Sequence, residues 1–195
     1  MGNLLQIIGF FIGDGYWLGD RAAFSNTNED LIKYYSQEIS IAGFRTSLYR
    51  RKKLGNRKDE FTLVVEKSFS VQIKKEMENL LHELASIEGS KSFLRGIFDA
   101  EGSINFSSTR RGREIKFTNT NRRIIYLIRF CLWQLKIKSR IKIVRGFRPN
   151  RKTCFDVRTY GESSIKFLKN VHPYKISSAH YLEGKVNPKY KHLFE

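Results

Sequence analysis

The chain has 195 residues, 41% of them hydrophobic, which is enough for one large domain or two small halves with buried cores. Lys and Arg number 36 against 19 Asp and Glu, a formal charge of +17 with a pI near 10.0, so a polyanionic partner is expected, nucleic acid before an anionic membrane surface. The two cysteines, Cys131 and Cys154, stand apart in apolar patterns, which excludes a disulfide framework and a structural zinc site and fits an intracellular setting.

In chain order, Met1-Gly2-Asn3 has no basic leader character. The run Leu4–Ile12, apolar apart from Gln6, meets Asp14 too soon to span a bilayer. It predicts a helix ending at Asp14-Gly15, then a strand leading to Asn26. Thr27-Asn28-Glu29-Asp30 reads as a helix start, with a capping side chain and acids in the first turn. Leu31, Tyr35, Ile39 and Ala42 keep helical spacing and Gly43 closes the helix. A hairpin is expected over about 44–53 and 60–66, then a helix with Val71, Ile73, Met77, Leu80 and Leu84 inward. Ala85–Ser90 reads as a linker.

The second part repeats this order. A helix ends at Glu101-Gly102 and a strand leads to Asn119. A helix from Asn121 carries Ile125, Ile128, Leu132 and Leu135. A hairpin follows over about 137–145 and 153–159, then a helix with Ile165, Leu168 and Val171. The repetition is literal in places: Phe24-Ser25-Asn26-Thr27-Asn28 returns as Phe117-Thr118-Asn119-Thr120-Asn121, and Gly9–Gly15 matches Gly96–Gly102. The chain therefore divides into halves, 1–87 and 88–195. The stretch Ser177–Glu195, with Lys185, Lys189 and Lys191, reads either as a phosphate contact or as a tail.

Small residues sit one helical turn apart at Gly9 and Gly13, and again at Gly96 and Ala100. They remove bulk from one face, so the two helices are expected to pack against each other there. That pairing would bring Asp14 and Glu101 together at the negative ends of two helix dipoles. A divalent cation offsets such an arrangement. Basic residues alternate outward on the hairpins. Arg45, Ser47, Tyr49 and Arg51 share one strand parity, with Lys52, Lys53, Arg57 and Lys58 in the turn. In the second half Lys138, Arg140 and Lys142 alternate with apolar residues, and Arg145, Arg148, Arg151 and Lys152 follow, with Arg158 on the returning strand. A two-stranded ribbon of this kind enters a DNA major groove.

The segments Ile7–Gly15 and Leu94–Gly102 resemble the LAGLIDADG motif, and with the shared repeat order the chain is similar to single-chain, two-motif LAGLIDADG homing endonucleases. The resemblance implies an α+β fold of two pseudo-symmetric αββαββα halves. Saddle-shaped antiparallel sheets would flank a central pair of motif helices, in a monomer that binds a long double-stranded DNA site. It implies Mg²⁺, with Mn²⁺ as a substitute, held by Asp14 and Glu101 with the Gly13 and Ala100 carbonyls nearby, and double-strand cleavage leaving 3′ overhangs. Asn26 and Asn119 fall where relatives order active-site water. Thr27 and Thr120 stand where some relatives carry lysine, which leaves Lys116 as the candidate base. With Met1 only a few residues before the first motif, an intron-encoded or free-standing reading frame is expected rather than an intein. The alternatives are a maturase acting on its own intron RNA and an inactive DNA-binding protein of the same fold.

Overall fold

The computed structural model describes residues 2–55, 58–106, 113–144, 153–177 and Val186. Helix α1 (Gly2–Asp14) runs into the hairpin β1 (Gly15–Leu18) and β2 (Arg21–Asn26). Helix α2 (Glu29–Ile41) follows, then the hairpin β3 (Thr46–Arg51) and β4 (Glu60–Val65). Helices α3 (Lys67–Glu78) and α4 (Leu80–Glu83) close this half. The same sequence of elements recurs as α5 (Ile87–Glu101), β5 (Gly102–Phe106), β6 (Arg113–Asn119), α6 (Arg122–Gln134), β7 (Arg140–Val144), β8 (Cys154–Tyr160), α7 (Glu162–Val171) and the short α8 (Tyr174–Ser177). Each half builds one four-stranded antiparallel sheet, ordered β1-β2-β4-β3 and β5-β6-β8-β7. Among the described residues no helix is long and apolar enough to cross a membrane.

Local chemistry sets the element ends. Asn28 caps α2 by accepting from the Leu31 amide, Asn121 caps α6 by accepting from Arg123, and Gly43 takes the left-handed conformation (φ 89°) after α2. Ser86 caps α5 through the Gly89 amide, so Ile87–Ser90 form the first turn of that helix rather than part of a linker. Strands β2 and β6 lead to Asn26 and Asn119 as expected, each as the second arm of a hairpin, because Gly15 and Gly102 turn the chain directly from helix into strand. Two further expectations fail. Val71 and Ala42 face solvent, while Phe69, Ser70 and Ile73 line the buried side of α3. The helix expected through Leu84 breaks at Asn79.

The motif helices α1 and α5 pack along their small faces. A Cβ on Gly96 would run into the carbonyl oxygen of Gln6, and one on Gly9 into that of Phe93, so only glycine admits this approach. Gly13 meets the Ala100 methyl in the same way one turn on. Around this seam α1 feeds both cores. Ile7 and Phe10 pack with Phe24, Leu31, Tyr35 and Leu63, and Ile8 packs with Phe93, Ile97, Phe117 and Val157. A buried polar chain ties the halves: Gln6 Nε2 donates to the Tyr34 (3.0 Å) and Tyr35 (3.4 Å) hydroxyls, and Tyr35 donates to Asp99 Oδ2 at 2.9 Å.

Candidate metal centre and nucleic-acid interface

Because α1 and α5 end side by side, their last residues, Asp14 and Glu101, meet at the seam. Burial and then the charge of Asp14 push the Glu101 carboxyl up to about 7, and burial raises Asp14 as well. Each acid is held by the asparagine that ends the second strand of its own sheet. Asn26 Nδ2 donates to Asp14 Oδ2, and Asn119 Nδ2 donates to Glu101 Oε1 at 3.1 Å. The amide orientations are set by the turn that follows. The Asn28 amide donates to Asn26 Oδ1 (2.9 Å) and the Asn121 amide to Asn119 Oδ1 (2.8 Å), so in both cases the NH₂ faces the carboxylate. The asparagines expected to order water thus engage the acids directly, each with one amide hydrogen left over.

A cation that the sequence did not single out joins them. The Lys175 ammonium, on α8, donates to the carbonyls of Gly102 (3.1 Å) and Ala100 (3.5 Å) at the end of α5, and its charge lowers both Asp14 and Glu101. The Ala100 carbonyl, expected near the ion, is therefore already engaged by a lysine. Helix α8 is anchored without that side chain's help. The Lys175 backbone amide donates to Asp99 Oδ1 at 2.8 Å, and the Tyr174 ring stacks on Tyr34 with centroids 4.0 Å apart. The only trace of this in the sequence is a buried-type pair, Tyr174 and Ile176, flanking a lysine after Pro173. Lys116, the expected base, lies on the outer face of β6 opposite Ser103 and Arg158.

Among the described residues no cluster of three or more His, Cys, Asp or Glu side chains exists. The donor set is two carboxylates beside backbone oxygens, a hard, oxygen-only set. Burial raises both acids, and the charge of Asp14 raises Glu101 further, a repulsion that a divalent cation would relieve. The residues fit such an ion, which Asp14 and Glu101 would hold.

On the first sheet Ser47, Tyr49 and Arg51 pair across to Val64, Thr62 and Glu60, the face opposite the core, and with Arg45 they are exposed. Lys53 pairs with Glu60 at 2.8 Å. Lys138, Arg140 and Lys142 are exposed, the last two on the outer face of β7. Arg158 shares that face but is held by Glu114 (3.0 Å) and by Asp156, which is 2% exposed. Arg145 and Arg148 lie outside the described residues, as do Arg57, Arg151 and Lys152.

Comparison with known proteins agrees with this architecture. Residues 88–172 match the family described as LAGLIDADG-like domain. Mesophilic variants of the homing endonuclease I-DmoI superpose with a TM-score of 0.64 at 17% identity over 87% of this chain and 95% of that one. I-DmoI in complex with DNA and Mn gives 0.63 at 17% identity, covering 87% of this chain and 96% of that one. Full-length DUF199/WhiA from Thermatoga maritima gives 0.66 at 16% identity over 98% of this chain and 58% of that one. No curated protein sequence matches. The second half of the chain is thus similar to the LAGLIDADG-like domain, and the chain as a whole carries the two-motif, single-chain LAGLIDADG fold.

Proposed function

We propose that the protein is a divalent-metal-dependent endonuclease that cuts both strands of a long, specific DNA site and leaves 3′ overhangs. The observation that carries this reading is the meeting of Asp14 and Glu101 at the ends of two closely packed helices, each acid aimed by an asparagine. In this reading Asp14 and Glu101 hold the ion, Mg²⁺ or Mn²⁺, beside the scissile phosphates. The ion supplies Lewis-acid stabilisation and an acidified water. Asn26 and Asn119 keep the carboxylates in place and use their remaining amide hydrogens on water or phosphate. Lys175 sets a fixed positive charge beside the pair, where it offsets charge that develops on the phosphate. Arg45, Ser47, Tyr49, Arg51, Lys138, Arg140 and Lys142 line the two sheet faces that grip DNA, one half-site to each sheet, in a monomer. The intact acids favour cleavage over an inactive DNA-binding role, and the basic surface serves a maturase equally well.

The test is incubation of the protein with a randomised duplex library, with and without Mg²⁺, followed by sequencing of the ends. Metal-dependent double-strand cuts at a rare site are expected. Binding to a selected site with no cut under Mg²⁺ or Mn²⁺ would leave a DNA-binding protein and remove the nuclease.

A further inference from the structure

The outward face of α6 differs from that of its pseudo-symmetric partner α2. On α6, Arg122, Tyr126, Arg129, Trp133 and, just past the helix, Lys136 follow one another at helical spacing and are all exposed, Tyr126 at 46% and Trp133 at 68%. The Arg122 guanidinium lies over the Tyr126 ring, 5.3 Å from its centroid. Beyond Trp133 the surface dips into a concavity of about 410 Å³ lined by Arg129, Trp133, Lys136, Ile137, Lys138 and Ser139. No acid occurs from Asn121 to Val144, and among the described residues Arg122, Arg129, Lys136 and Lys138 form no ion pair.

Counting from the two capping asparagines, Asn28 and Asn121, the corresponding positions of α2 are Glu29, Lys33, Ser36, Ser40 and Gly43. Glu29 and Lys33 neutralise each other at 2.9 Å, and no aromatic ring is present. A surface that served the symmetric grip on duplex DNA would be built in both halves. This one is built once. It also lies on the helical side of its sheet, because Ile125, Ile128, Cys131 and Leu132 point from α6 into the core while Arg140 and Lys142 project from the other face of β7.

We infer that the α6 face is a second nucleic-acid site, specific for a single-stranded polynucleotide, RNA or unpaired DNA. Charge selects a polyanion. The exposed rings select unpaired bases, because the faces of bases in a duplex are already stacked and offer a helix nothing to pack on. Trp133 at the mouth of the concavity is the stacking platform, and Arg129 and Lys136 hold the flanking phosphates.

The experiment uses the full chain and fluorescently labelled 12-nucleotide oligonucleotides, uridine-rich RNA and thymidine-rich DNA, titrated with and without a saturating unlabelled duplex. Both oligonucleotides, or RNA preferentially, should bind in the presence of duplex. Trp133→Ala should weaken that binding by roughly 10-fold or more, since one stacked base is lost. Arg129→Glu should weaken it further, and duplex binding should stay within about 2-fold of the parent. Lys33→Ala on α2 should change neither. The inference is overturned if duplex displaces the oligonucleotide completely, if Trp133→Ala and Arg129→Glu bind it like the parent, or if the two variants lose duplex instead. It is also overturned if neither oligonucleotide binds. None of these readouts involves cleavage, so they stand whether or not the protein cuts DNA.

Discussion

At the scale of single residues, the proposed chemistry rests on Asp14, Glu101 and the groups around them. Asp14→Asn or Glu101→Gln should lower cleavage of the selected site by at least about 10³-fold while binding persists, measured by single-turnover cleavage and by fluorescence anisotropy. Lys175→Met should reduce the same rate on the order of 10²-fold. The thermal midpoint should stay near that of the parent, because the Lys175 amide and Tyr174 still anchor α8. Lys175→Arg should recover most of the rate. A Lys175→Met protein that cuts at the parent's rate would remove the lysine from the site. The carboxylates also make stability depend on pH. Glu101 is raised from 4.5 to about 7, chiefly by burial and then by Asp14, and Asp99 from 3.8 to about 7 by burial. Both bind a proton more tightly in the folded state. Their contribution is therefore complete below the ordinary carboxylate range and is lost as pH rises through about 7. The thermal midpoint of the metal-free protein should climb as pH falls from 8 toward 5, and Glu101→Gln should flatten part of that climb. Adding Mg²⁺ or Mn²⁺ at pH 8 should raise the midpoint by binding the folded state.

At the scale of elements, the α1–α5 seam is the most demanding contact. Gly96→Ala places a methyl group against the Gln6 carbonyl, a backbone atom that cannot swing aside. It should cost at least about 2 kcal/mol in urea unfolding, and it should reduce cleavage further by parting the acids. Val71→Ala, on the exposed side of α3, should stay within about 0.5 kcal/mol of the parent. The contrast separates what periodicity reads well from what it reads badly. Leu31, Tyr35 and Ile39 were legible because capping, spacing and the closing Gly43 agree on one frame. Val71 was misplaced because the apolar residues of α3 begin on alternate positions, Phe69, Val71 and Ile73; helical spacing puts Phe69 and Ile73 on one face, which is the buried one, and Val71 on the opposite, exposed face.

At the scale of the whole molecule, the charge of +17 is not uniformly available to a ligand. Arg140 and Lys142 are exposed on the outer face of the second sheet, whereas Arg158 on the same face is bound to Glu114 and the buried Asp156. The double variant Arg140→Ala, Lys142→Ala should flatten the plot of log binding constant against log salt by about 2. Arg158→Ala should instead lower stability by about 1–3 kcal/mol, because it leaves Asp156 buried beside an unpaired Glu114. If Arg158→Ala alters the salt slope and leaves the unfolding midpoint unchanged, its ion pairs are not structural.

The repeat, the two motif helices, their glycine faces and the acids at their ends were all determined by the sequence alone, because each rests on local rules of spacing, capping and side-chain size that operate within one turn or one strand. Three things waited for the tertiary structure. Lys175 reaches the acids only because α8 folds back onto the end of α5, a contact between residues distant in the chain. The asparagines bind the carboxylates only because each sheet ends beside its own motif helix. Arg158 is withdrawn from the surface because cross-strand neighbours supply acids, a pairing that register decides and composition does not.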